Sequence, residues 1–348
     1  MRTILTDRQT DRQTDRQTDR QTDRQTDRLC KENTDALKGL LAILILVHHL
    51  YQYTGLFQST IFAIPLQALG YLSVAEFFFL SGYGLAISYD KKTDQYIQQF
   101  PKKRILPFYL VIIVLTCVWI GLKGIFHEDV VLPEIGISFL FGGTVIKGGW
   151  YLQVQLLLYV LWFLIYRLQK SSPWKLKCLF VVELLYCGLM GKLGYPTTWY
   201  EGVIAFPIGI LWSNRRNEFN AYFQSTQRWL RWMMGSFLIF TITFILPHMA
   251  LPECVCVVVK IISAAVFVVF GTLIIYRIPV RCRVTRFLGS ISLEIYTMQF
   301  VFLVLFHSEL INISNPYIYI TAVVAATTCA AMLFKIMVDK IYGVCRKI

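Results

Sequence analysis

An all-α, polytopic membrane fold of about ten transmembrane helices is predicted by two observations. The first is composition. Of 348 residues, 56% are hydrophobic and only 16% charged, and the mean hydropathy is +0.54, too apolar for a soluble globule. The second is the placing of the basic residues. Apolar runs at about 37–53, 68–88, 105–121, 150–166, 178–191, 197–212, 232–248, 255–276, 287–306 and 317–335 alternate with loops. With a cytoplasmic N-terminus, the inner loops hold 21 Lys and Arg and the outer loops only Lys123, Lys147 and Lys192, the bias that orients membrane proteins. Both termini are then cytoplasmic. The net charge of +13 follows from topology, so nucleic-acid binding is not needed to explain it.

Residues 6–28 repeat Thr-Asp-Arg-Gln. Alternating charge without an apolar residue cannot bury surface, so residues 1–34 are expected to be a disordered tail ahead of a membrane domain at 35–348. Asp-Arg-Gln-Thr is also what the DNA tetranucleotide GACA encodes when repeated, and gain or loss of one unit shifts the reading frame. Either the gene is phase-variable, switched by slippage in a host-associated bacterium, or the repeat is a functionless expansion or a misplaced start.

The first span is apolar from Leu37 to Tyr51 except near its ends, which carry Lys38 and the pair His48-His49. Eleven residues at about 100° each bring Lys38 and His49 onto one face, roughly 16 Å apart, with His48 turned about 80° away. An ionisable group inside a membrane helix is costly and marks a functional site by default. The alternative places both at the lipid interfaces, with Lys38 snorkelling. No cleavable signal peptide is read ahead of this span, which would itself direct insertion.

The second span contains Glu76-Phe77-Phe78-Phe79-Leu80-Ser81-Gly82-Tyr83, where the small pair lets a ligand or another backbone approach closely. Lys102, Lys103 and Arg104 enter the third span and suit either a phosphorylated ligand or ordinary anchoring. Residues 131–147, semi-apolar and Gly-rich, read as a re-entrant or surface segment. Trp150 and Tyr151 open the fourth span after a Gly turn, as site residues or as an aromatic belt. The fifth and sixth spans are short, and Glu183 and Lys260 have no partner by spacing. The ninth carries Glu294, Tyr296 and Gln299. Nine cysteines are scattered without metal-ligand spacing, and no metal is expected.

In this order the motifs resemble those of acyltransferase family 3, over residues from about 35 to 340. A basic residue ahead of a His on the first helix matches Lys38 and His49. The aromatic-Ser-Gly run matches Phe78, Phe79, Ser81, Gly82 and Tyr83, with Glu76 where an acid is usual. The Arg/Pro element matches Arg104 and Pro107, with Lys102 or Lys103 standing in for the earlier Arg. The late element matches Gly289, Ser292, Ile295 and Tyr296, but Gln299 replaces its His.

The resemblance implies an integral enzyme of the bacterial inner membrane. It would move an acyl group from cytoplasmic acyl-CoA, most often acetyl-CoA, to a hydroxyl on the far side. The acceptor would be a surface or lipid-linked glycan such as lipopolysaccharide or capsule, and acetyl-CoA a co-substrate rather than a bound cofactor. On that reading His49 is the general base and Glu76 orients it. Tyr151, Ser81 or Tyr296 donates to the oxyanion. Lys38, Lys102, Lys103 and Arg104 hold the CoA phosphates, and His48 and Trp150 line the pocket. The rival is a carrier that flips a glycan or moves a solute. Carriers commonly show internal halves, and residues 35–190 and 191–340 show none.

Overall fold

The computed structural model describes residues 28–169, 172–278 and 280–345, and among them every regular element is helical. The tail repeat lies outside the described residues except for Arg28. Helix α1 runs Lys31–Thr54 and stops at Gly55, whose left-handed φ of 66° lets its N–H cap Tyr51 O. After it, α2 (Ala63–Phe100), a π-helical turn (Pro101–Ile105) and α3 (Leu106–Ile125) follow without a gap.

Those 63 residues would span about 95 Å as a straight rod, about three bilayer cores. They fold back instead. Tyr89 and Tyr96 both meet the Trp162 ring, at 6.1 and 6.0 Å, while Ser81 and Phe108 both reach Tyr159. The break is Thr93, at φ 44° and ψ −126°, a costly conformation for a β-branched residue.

The chain continues through α4 (Leu132–Phe141), α5 (Trp150–Leu168), α6 (Ser172–Lys192), a 3₁₀ turn (Thr197–Trp199), α7 (Ala205–Asn214) and α8 (Arg216–Tyr222). It ends with α9 (Thr226–Ile245), α10 (Glu253–Arg277), α11 (Arg283–Ser290), α12 (Ser292–Leu305) and α13 (Pro316–Cys345). Among the described residues six helical segments, with the run Ala63–Ile125 counted once, are long and apolar enough to cross a membrane, or seven if α11 and α12, bent by 75° at their junction, form one span. The expectation of ten is not confirmed. The shortfall has local causes, the first being that the expected second and third spans lie in the one run Ala63–Ile125, which is counted once although it folds back at Thr93. Helix α6 carries Lys175, Lys177, Glu183 and Lys192, and the segment expected as the sixth span is a 3₁₀ turn and a ten-residue helix. Helix α4, in the segment read as re-entrant or superficial, is apolar but only ten residues long.

Two glycine pairs bring helices into backbone contact. A Cβ on Gly82 would collide with Phe206 O of α7, and one on Gly209 with Phe79 O of α2. A Cβ on Gly39 would strike Thr285 O of α11, and one on Gly289 would strike Asp35 O of α1. Close approach through small residues is how membrane helices gain packing where apolar transfer gains nothing. Outer helices show the reverse of a soluble surface, with Leu238 60% and Leu333 70% exposed. Such a shell fits a lipid surround.

Candidate active site

Two cavities lie in the bundle, and Ile45, Val74 and Tyr296 line both. The inner one, of about 330 Å³, is bordered by Lys38, Arg104 and Lys335, so cations converge on it from α1, the π turn and α13. The outer one, of about 640 Å³, is bordered by His48 and His49 and also by Trp150, Glu201 and Lys260. Lys38, Ile45 and His49 form one stripe of α1, as the helical period requires. That stripe runs from the inner cavity, past the shared wall, into the outer one.

The inner charges are pre-paired. Lys38 Nζ lies 3.3 Å from Asp35 Oδ1, and Lys335 Nζ lies 3.5 Å from Glu294 Oε1. Arg104 Nε donates to Tyr96 OH at 3.2 Å. Deeper in, Gln155 Nε2 donates to Ser81 Oγ at 3.1 Å, and Ser81 Oγ donates to Tyr159 OH at 3.2 Å. Tyr151 lines the same cavity against Phe78 and Tyr296, with ring centroids 5.5 and 4.7 Å away.

In the outer cavity the two histidines differ. His48 is buried, and its Nδ1 donates to Leu66 O at 3.0 Å while Nε2 packs on Gly70. His49 stands against Phe300 at 4.5 Å, and its Nδ1 donates to Gln52 Oε1 at 3.2 Å. Gln52 Nε2 in turn donates to Gln67 Oε1 at 3.4 Å. A donor Nδ1 leaves the Nε2 lone pair of neutral His49 available to accept a proton.

Several expected placements are corrected. Glu76 does not orient His49. It is 1% exposed, its carboxylate oxygens have no hydrogen-bond partner among the described residues, and it faces Gly271 of α10. Helix α2 points Val74 and Ser81 at the cavities and turns residue 76 away. Lys102, Lys103 and Arg104 are all exposed, but of the three only Arg104 borders a cavity. Tyr296 is close to the site, but its hydroxyl donates to Gly148 O at 2.9 Å and is occupied. That bond secures the turn ahead of Trp150 and Tyr151, where Gly148 takes a φ of 74° and a Cβ would run into the Phe300 ring. Gln299 is buried, its amide donates to Tyr296 O, and it lines neither cavity.

Sequence reasoning passed over Gln52, Gln67, Gln155, Tyr159, Glu201 and Lys335. Gln155 had a signal, since an amide in an apolar helix must find a partner. Lys335 had none, because a basic residue near a helix end looks the same whether it anchors or binds. Among the described residues no group of three or more His, Cys, Asp or Glu could hold a metal ion.

The helical bundle thus sets a cavity bordered by Lys38, Arg104 and Lys335 against one bordered by His48 and His49, with Ile45, Val74 and Tyr296 between them. The chain belongs to acyltransferase family 3, whose acyltransferase domain model matches residues 32–335, and it is a membrane acyltransferase. No curated protein and no solved structure gives a match.

Proposed function

We propose that this acyltransferase moves an acetyl group from cytoplasmic acetyl-CoA to a hydroxyl of a surface glycan, such as lipopolysaccharide or capsule, at the bacterial inner membrane. The observation that carries the reading is the shared wall of Ile45, Val74 and Tyr296 between a cavity bordered by cations and one holding His49. Arg104 and Lys38 hold the CoA phosphates, so the thioester reaches the wall from the cytoplasmic side. The acceptor sugar enters the outer cavity. His49 Nε2 takes the hydroxyl proton as the oxygen attacks the thioester carbon, and Tyr151 OH donates to the oxyanion. The C–S bond then breaks, and the imidazolium returns its proton to the CoA thiolate. Gln52 holds the ring by Nδ1, a neutral amide in the place a carboxylate takes in a triad.

The test is purified protein in liposomes with labelled acetyl-CoA and extracted surface glycan. Label in the glycan, lost with His49→Ala, supports the reading. Glycan or solute crossing the bilayer without acylation supports a carrier instead. The tail repeat adds expression control to the proposal. Single colonies should differ in repeat number, and only those in frame should carry the modified glycan. A fixed repeat number across many colonies would overturn phase variation and leave the enzyme reading intact.

A further inference from the structure

We infer that helix α5 reads the pantetheine arm of the donor, with Gln155 and Tyr159, joined through Ser81, gripping its two amides. The inference rests on the acyl-CoA reading above and deepens it. Tyr151, Gln155 and Tyr159 all line the inner cavity and stand at successive four-residue steps on one face of α5, about 6 Å of rise apart. Tyr151 touches Tyr296 of the shared wall, so the ladder starts where the thioester must sit and descends toward Arg104.

The donor has a matching period. In an extended pantetheine thioester the first amide nitrogen lies roughly 4 Å from the sulfur, and the second roughly 5 Å beyond it, by ordinary bond lengths. A thioester beside Tyr151 therefore places one amide at the level of Gln155 and the other near Tyr159.

The hydrogen-bond direction is complementary as well. Gln155 Nε2 donates to Ser81 Oγ, which donates to Tyr159 OH. The chain leaves an acceptor, Gln155 Oε1, at one end and a donor, the Tyr159 O–H, at the other. An amide offers the reverse pair, an N–H for Gln155 and a C=O for Tyr159. The rest of this stretch is apolar, with Leu80, Leu85 and Phe108 facing methylenes and the gem-dimethyl group. Gln155 is 2% exposed, and a buried amide with one open acceptor is a specific feature to leave unfilled.

The experiment compares three donors of rising length: the acetyl thioesters of N-acetylcysteamine, pantetheine and CoA. The first carries one amide, the second both, and the third adds the nucleotide. Gln155→Leu should lower kcat/KM about tenfold for all three, the effect of one neutral hydrogen bond lost. Tyr159→Phe should lower it about as much for pantetheine and CoA but leave the N-acetylcysteamine donor within twofold, roughly the scatter of a neutral change. KM for the glycan should stay unchanged in both variants, which a misfolded protein would not give. An equal loss across all three donors with Tyr159→Phe, or no loss with either variant, overturns the inference while the acyltransfer reading stands. Wild-type protein that accepts no thioester overturns both.

Discussion

The inner and outer cavities share one wall but are built by opposite means. In the smaller inner one, nearly every polar group already has a partner, as in Lys38 with Asp35, Lys335 with Glu294, and Gln155 with Ser81 and Tyr159. The outer one has about twice the volume and looser wiring. Glu201 and Lys260 both line it and interact without direct contact, and Glu201 is hydrogen-bonded to Thr197 of the same cavity. His49 is held by a single bond to a glutamine. A preformed, hydrogen-bonded cavity suits a ligand of constant chemistry, because little ordering remains to be done on binding. A roomier one suits a bulky ligand. On the proposed reading these are the CoA thioester and the glycan.

The largest expected effect separates the two histidines of the outer cavity. His49→Ala should lower kcat by about 10²- to 10⁴-fold with the protein still inserted, the usual contribution of a general base. His48→Ala should cost far less, since its Nδ1 is committed to Leu66 O. Equal losses would place the base on the other ring or remove it from α1 altogether.

Next come the inner cations. Arg104→Ala should raise KM for acetyl-CoA about tenfold or more, the scale of a charge-assisted hydrogen bond, and leave KM for the glycan unchanged. Arg104→Lys should recover only part, because an ammonium cannot offer the planar fork. Replacing Lys102 and Lys103 together by Met should move KM for acetyl-CoA by less than about twofold, since exposed charges outside the cavity are screened. A larger rise would return the phosphates to the outer face of that turn.

The mirror-image experiment addresses the outer cavity. Glu201→Gln and Lys260→Met should each raise KM for the glycan by about three- to tenfold, the range of one polar contact, without altering KM for acetyl-CoA. A change in the donor constant instead would mean that the two cavities do not divide the substrates. The smallest effect is expected from the tail. In-frame deletion of residues 2–28 should leave kcat and both KM values unchanged, because a repeat of alternating charge has nothing apolar to pack. Lost activity in that deletion, at normal protein levels, would give the repeat a structural role.

The sequence by itself determined what depends on short range. Hydropathy marked the helices, and the helical period put Lys38, Ile45 and His49 on one stripe of α1. Gly82 was legible as a point of close approach, whereas Gly289 was legible only as a motif position. Tertiary packing decided which polar groups meet. Ser81 and Gln155 are 74 residues apart, and Lys335 and Glu294 are 41 apart, so no spacing rule connects them. The same packing turned Glu76 toward Gly271, left Lys102 and Lys103 outside, and gave the Tyr296 hydroxyl to Gly148 O. The physical reason is that a helix fixes the directions of its own side chains. What lies in each direction is set by neighbouring helices, whose rotation and depth depend on contacts summed over the whole bundle.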